Sequence, residues 1–153
     1  KMAENINRFA EEFPCIVADC SFMAAYLLGG FCQDEQQEPE QVISNILSKN
    51  GQILVPPLFW YEIGNVLVNA TKPNKQTGLP RISPADAADI AYDLARLPIA
   101  TDLLPDTEIR SRIQQQALYH NLSYYDASYL ELSHRTGFSL KTFDQALLKA
   151  IKI

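Results

Sequence analysis

Four acids in this chain stand where carboxylates can do chemistry: Asp19, Glu62, Asp126 and Asp144. Asp19 ends an apolar run, Cys15 to Ala18, and Asp144 follows another, Phe138 to Lys141. Glu62 lies in a segment with helical apolar spacing. Asp126 sits in Tyr124-Tyr125-Asp126-Ala127-Ser128-Tyr129-Leu130, at the start of an expected helix with Ser123 as its N-cap. Carboxylates brought together repel each other, their pKa values rise, and divalent cations relieve the strain. Oxygen donors without a matching Cys/His set point to Mg²⁺ or Mn²⁺ rather than Zn²⁺. Such a site suits phosphodiester hydrolysis, in which a metal activates water and a second ion, about 3.5–4 Å away, stabilises the leaving oxygen. In that scheme Asp19 and Asp126 hold the principal ion. Asp144 holds a second ion or a water, and Glu62 is a ligand or orients the nucleophile. Ser21 and Thr142 are placed to hydrogen-bond the carboxylates, as partners of metal ligands do.

Each acid also has a plain structural reading. Asp19 could cap the helix after its strand. Asp126 completes a Ser-x-x-Asp capping box, and Asp144 complements a helix dipole. Glu62 borders the apolar face of its helix, where Glu62, Asn65 and Asn69 form a polar line. Spacing alone leaves both readings open.

The elements that must position these acids follow from apolar patterning. Four short apolar runs read as strands: Cys15–Ala18, Gln52–Val55, Pro98–Thr101 and Phe138–Lys141. Helices are expected over residues 5–12, 21–28 and 40–49, after Pro56-Pro57, from Ser83 to Leu97, from Asp106 or Thr107 to Tyr119, and from Ser123 to Gly137. A last helix opens at Thr142-Phe143-Asp144-Gln145, read as a Ser/Thr-x-x-Gln cap. Residues 31–39 and 72–82 are expected loops. Strands alternating with helices predict an α/β domain with a mostly parallel sheet and right-handed crossovers. Two helices fall between strands three and four. The extended residues 102–106, reaching roughly 17 Å, must carry the chain down the sheet, unless the first helix lies crosswise. In open sheets of this kind, ligands bind outside the carboxyl ends of the strands.

Composition bounds the rest. A chain of 153 residues suits one domain over 1–153 with a core of its own, Lys1 ahead of Met2 being set aside. The formal net charge of −5 argues against a simple cationic nucleic-acid binder and is compatible with an acidic pocket that binds cations. Cys15, Cys20 and Cys32 form no CxxC, which suggests reduced thiols, expected as buried small hydrophobes in a cytoplasmic protein. No apolar run reaches the roughly 18 residues of a membrane helix, and acids interrupt any signal-peptide pattern. Trp60, Tyr124, Tyr125 and Tyr129 could stack on single-stranded bases, but core packing is the ordinary role for aromatics at helical spacing. Lys72, Lys75 and Arg81 read as a solvated loop, and His120 and His134 as cations at helix C-termini.

The set Val17-Ala18-Asp19-Cys20-Ser21, Glu62-Ile63-Gly64-Asn65-Val66-Leu67, Tyr125-Asp126-Ala127-Ser128-Tyr129-Leu130 and Lys141-Thr142-Phe143-Asp144 resembles the PIN-domain family, most of all the VapC-type ribonuclease toxins. Each motif is short; the ordered combination, over about residues 14–151, carries the resemblance. It implies a PIN fold, a three-layer α/β/α arrangement with a short, mostly parallel sheet of four to five strands, together with Mg²⁺- or Mn²⁺-dependent endoribonuclease activity, a homodimer and a cognate antitoxin that blocks the acidic pocket. The family's acidic set falls on Asp19, Glu62, Asp126 and Asp144, with Ser21, Asn65 and Thr142 as accompanying polar residues. Segments 29–39 and 72–82 are longer than in compact members, and Cys20 replaces a small or β-branched residue. The alternatives are a PIN nuclease of RNA processing without an antitoxin and a non-catalytic interaction module. A phospho-acceptor domain would need adjacent acids after strand one, and an Asp-x-Asp phosphatase an acid at Ser21. Neither pattern is present.

Overall fold

The computed structural model describes residues 13–29 and 39–152. The helix expected over residues 5–12, most of the loop at 31–39, and Cys32 lie outside the described residues. Four strands run β1 (Cys15–Ala18), β2 (Gln52–Val55), β3 (Ile99–Thr101) and β4 (Ser139–Lys141). Seven helices lie among the described residues: α1 (Cys20–Leu28), α2 (Pro39–Ser48), α3 (Leu58–Ala70), α4 (Pro84–Arg96), α5 (Thr107–His120), α6 (Tyr124–Thr136) and α7 (Gln145–Ile151).

The strands form one sheet in the order β3-β2-β1-β4, and every pairing is parallel. Ile16, Val17 and Ala18 of the central β1 are all buried. That is the mark of a strand covered on both faces, as parallel sheets with helical crossovers require. The helices fall into two packed sets. In one, α1 contacts α2 and α3, and α3 contacts α4; in the other, α6 lies on β1 and β4 and contacts α5 and α7. The expected three-layer α/β arrangement is therefore observed, with the sheet wholly parallel.

Local chemistry explains the entries and exits. Gly51 leads into β2 where a Cβ would stand 1.9 Å from the Pro14 carbonyl oxygen. The same oxygen accepts from Gln52 N at 3.0 Å, so the start of β2 is drawn tight against the chain entering β1. Helix α4 opens with a full capping box between Ser83 and Asp86, and α6 closes on Gly137 at φ 75°. One expectation is corrected. Asp144, not Thr142, caps α7, accepting from Leu147 N at 2.9 Å. The Thr142 hydroxyl is engaged elsewhere, as described below.

Chain order and sheet order together locate a crevice. From β1 the sheet grows through β2 to β3 on one side, while β4 joins on the other. The order therefore reverses between β1 and β4, and a ligand site is expected there, at the strands' carboxyl ends. Asp19 N–H extends that ladder by donating to Lys141 O at 3.1 Å.

Candidate functional site

Asp19 is the N-cap of α1 and is only 4% exposed. Its Oδ1 accepts from Phe22 N–H at 2.9 Å and Ser21 Oγ at 2.7 Å; its Oδ2 accepts from Thr142 Oγ1 at 2.5 Å. The two hydroxyls are themselves fixed. Ser21 Oγ accepts from Phe143 N–H at 2.9 Å, and Thr142 Oγ1 accepts from Asp144 N–H at 3.0 Å. A lattice of hydroxyls and amides thus joins the carboxyl end of β1 to that of β4. Burial pushes the Asp19 carboxyl up; the Thr142, Ser21 and Phe22 donors oppose this, and the charge of Asp144 adds to it.

Glu62 is half-buried, and Tyr129 Oη donates to its Oε1 at 2.6 Å. Burial raises its pKa, the Tyr129 bond opposes the rise, and the charges of Asp126 and Asp19 reinforce it. Asp126 occupies the first turn of α6. Burial raises it too, with Asp144 adding to the shift and Ser123 opposing it. Asp19, Glu62, Asp126 and Asp144 are therefore coupled through their charges in four of their six pairs. Their interactions close a ring: 144 on 19, 19 and 126 on 62, 144 on 126. None of the four takes an ion pair among the described residues; the pairs there involve Asp93, Asp102, Glu108 and Glu131.

Three of the acids sit at helix N-termini, so the capping and cleft readings coexist. Asp19 and Asp144 are both caps. Asp126 departs from the expected box. Ser123 Oγ accepts from Asp126 N–H at 3.1 Å, but the return bond from the Ser123 amide, present in α4, is not made. The carboxylate interacts with the Ser123 side chain and feels the charges of Asp144 and Glu62. Asn65 is exposed, and its side chain makes no hydrogen bond among the described residues.

The donor set suits a hard dication. With the side chains as they stand, no three acidic, His or Cys residues among the described residues meet closely enough to hold one ion. The side chains as they stand therefore do not form an all-protein cage for a metal ion.

Several surroundings differ from expectation. Tyr129 is core, 1% exposed, but Trp60, Tyr124 and Tyr125 are 38%, 42% and 65% exposed, so core packing does not describe them. Trp60 Nε1 donates to Thr101 Oγ1 at 2.8 Å, holding the ring near the end of β3. Cys15 and Cys20 are partly rather than fully buried. Burial, with Glu62 and Asp19 nearby, pushes the Cys20 thiol up to about 12. Lys72, Lys75 and Arg81 are exposed, as expected of a loop. A groove of about 860 Å³, lined by Tyr26, Leu27, Leu47, Ile90 and Leu97 among others, touches none of the four acids. No described helix is long and apolar enough to cross a membrane.

No curated protein sequence matches the chain. Among solved structures, PAE2754 from Pyrobaculum aerophilum matches with a TM-score of 0.60 at 20% identity, over 92% of this chain and 87% of that one. VapC20 of Mycobacterium tuberculosis, described as a toxin that cleaves the sarcin–ricin loop, matches with a TM-score of 0.55 at 16% identity, over 88% of this chain and 94% of its own. Both likenesses are of fold. The PIN-domain family model matches residues 16–152, nearly the whole described chain and all four acids, and the protein belongs to the PIN-domain family.

Proposed function

We propose that the protein is an endoribonuclease that depends on Mg²⁺ or Mn²⁺, and the toxin of a type II toxin–antitoxin pair. One observation carries the reading: four carboxylates coupled through their charges, with no ion pair to any cation among the described residues, at the reversal point of a parallel sheet. Structural acids are matched by counter-charge; acids held together without it invite a cation. PIN domains are generally nucleases, which agrees with that chemistry.

Asp19 and Asp126 would hold the principal ion, with Asp144 and Glu62 facing a second ion or the water nucleophile. A bound dication supplies Lewis acidity, favouring ionised water near neutral pH and offsetting charge on the phosphate. The chain's own residues do the rest. Thr142, Ser21 and the Phe22 amide fix Asp19 so that it cannot swing away. Glu62 Oε2, the oxygen not bonded to Tyr129, is free to take the proton of the attacking water. The water oxygen forms the new bond to phosphorus, the bridging oxygen leaves with the bonding pair, and a proton from solvent completes the product hydroxyl.

RNA is the favoured substrate. Two exposed aromatics precede each of two acids, Trp60-Tyr61-Glu62 and Tyr124-Tyr125-Asp126. Unpaired bases can stack there, which helps a protein of net charge −5 hold a polyanion. A homodimer, a cognate antitoxin with a basic side chain entering the acidic cleft, and a cytoplasmic location complete the proposal.

The test is cleavage of labelled single-stranded RNA by purified protein. Chelation should stop it and added Mg²⁺ or Mn²⁺ restore it; cleavage indifferent to chelation sinks the mechanism. Expression alone should arrest growth, and co-expression of an adjacent small reading frame should relieve it. Harmless expression of an RNA-cleaving protein would instead favour a role in RNA processing.

A further inference from the structure

Tyr129 is among the largest fully buried side chains, at 1% exposure, yet it carries a hydroxyl. A buried hydroxyl needs a partner. This one finds Glu62 Oε1 at 2.6 Å, across from α6 to α3. Tyr129 lies one helical turn after Asp126, so the same face of α6 presents an acid and then a phenol. Asp19 is fixed by three donors, whereas Glu62 has this one among the described residues. Without it, a long carboxylate beside Asp19 and Asp126 would be pushed outward by their charge and gain rotamer freedom.

We infer that Tyr129 is the positioning residue for Glu62: its hydroxyl pins Oε1, aims Oε2 into the cleft, and sets the spacing between the acids of α3 and α6. The phenol touches neither substrate nor cation; it acts through Glu62. The inference rests on the four-acid reading of the site. It adds a residue whose sequence signal, an aromatic at helical spacing, is indistinguishable from ordinary core.

Tyr129→Phe removes one oxygen and keeps the ring, so the core stays filled. The experiment compares wild type, Y129F, E62Q and the double variant in single-stranded RNA cleavage, Mn²⁺ titration by calorimetry and thermal unfolding. Y129F should lower kcat about ten- to a hundredfold, the worth of a hydrogen bond to a charged group, with KM within about twofold. It should weaken Mn²⁺ binding while unfolding cooperatively. On the E62Q background the same change should have little further effect on kcat. Wild-type kcat in Y129F overturns the inference, and so does a loss that adds in full to that of E62Q, which would mean a general packing role. If wild type binds Mn²⁺ but cleaves no RNA, the nuclease reading fails. The titration then still decides the role of Tyr129, with equal Mn²⁺ affinity in Y129F refuting it. A wild type that binds no Mn²⁺ removes the inference together with the site.

Discussion

Helix α6 carries two acids, Asp126 and Glu131, that meet opposite surroundings. Glu131 is 2% exposed and is matched by cations: Arg112 Nε at 3.3 Å and Arg135 Nε at 3.0 Å. Arg135 also bonds Asp102 at 2.5 Å, and Arg112 bonds Glu108 at 2.7 Å, so the cluster ties α5, α6 and the end of β3 together. Asp102 and Glu131 hold the Arg135 guanidinium firmly in its charged form. Asp126, less buried, feels the charges of Glu62 and Asp144 and has no ion pair among the described residues. Burial of an acid therefore does not mark function in this fold. On the proposed reading the missing counter-charge does, because a matched cluster is complete and an unmatched one invites an added cation.

The sharpest way to break this contrast is a pair of isosteric changes. Asp126→Asn should reduce RNA cleavage by about 10²–10⁴-fold, the scale of losing several kcal/mol of charge stabilisation, while unfolding at or above the wild-type temperature. Glu131→Gln should do the reverse. Cleavage per folded molecule should be kept, and stability in urea should drop by about 1.5–3 kcal/mol as charge-assisted bonds are lost. Equal effects of the two changes on activity would erase the distinction.

pH supplies a second test. Asp19, Glu62 and Asp126 are all raised, with burial the leading cause. A carboxyl whose folded pKa exceeds its unfolded value destabilises the fold most at neutral pH. The penalty fades as pH falls through the folded pKa and is gone below the unfolded value. Metal-free wild type should therefore gain thermal stability on mild acidification from neutral pH, and D19N/E62Q/D126N should lose that gain. At neutral pH, Mn²⁺ at a hundredfold excess over Kd should stabilise wild type by about 2.7 kcal/mol. Melting curves across pH, with and without cation, check both signs.

How much of this could be read beforehand depends on range along the chain. Apolar runs, Ser caps and the glycine after α6 are local, so the described strands and helices lie within a residue or two of their expected bounds. Asp19 and Asp144 were legible because strand ends are legible. The order β3-β2-β1-β4 is a long-range pairing that alternation alone does not encode. Glu131 and Arg135 look like an exposed i, i+4 pair, and only the packing of α5 on α6 buries the acid. Aromatic roles are hidden for a related reason. Residues 127–132 of α6 are buried all round, so no apolar stripe separates core Tyr129 from exposed Tyr124 and Tyr125. Thr142 resembled a cap because Ser/Thr-x-x-Gln is a cap pattern; its hydroxyl is engaged by Asp19 across the sheet, and Asp144 takes the role.

The smallest effect tests the same contrast within one motif. Ser-x-x-Asp opens both α4 and α6. In α4 the box closes both ways, with Ser83 Oγ accepting from Asp86 N–H at 3.0 Å and Asp86 Oδ2 accepting from Ser83 N–H at 3.1 Å. In α6 only the serine half is made. Ser83→Ala and Ser123→Ala should each cost about 1 kcal/mol, since each removes a cap acceptor. The aspartates should part company. The Ser83 amide and hydroxyl hold Asp86 below the usual carboxylate range, so its contribution exists above the unfolded pKa and is lost as pH falls through the folded one. Asp86→Ala should lower stability at neutral pH, and Asp126→Ala should leave it unchanged or raise it. Thermal melts of the four variants decide the matter. Parallel losses for the two aspartates would mean that Asp126 is a capping residue after all, and that the acid ring is held together by something other than the demand for a cation.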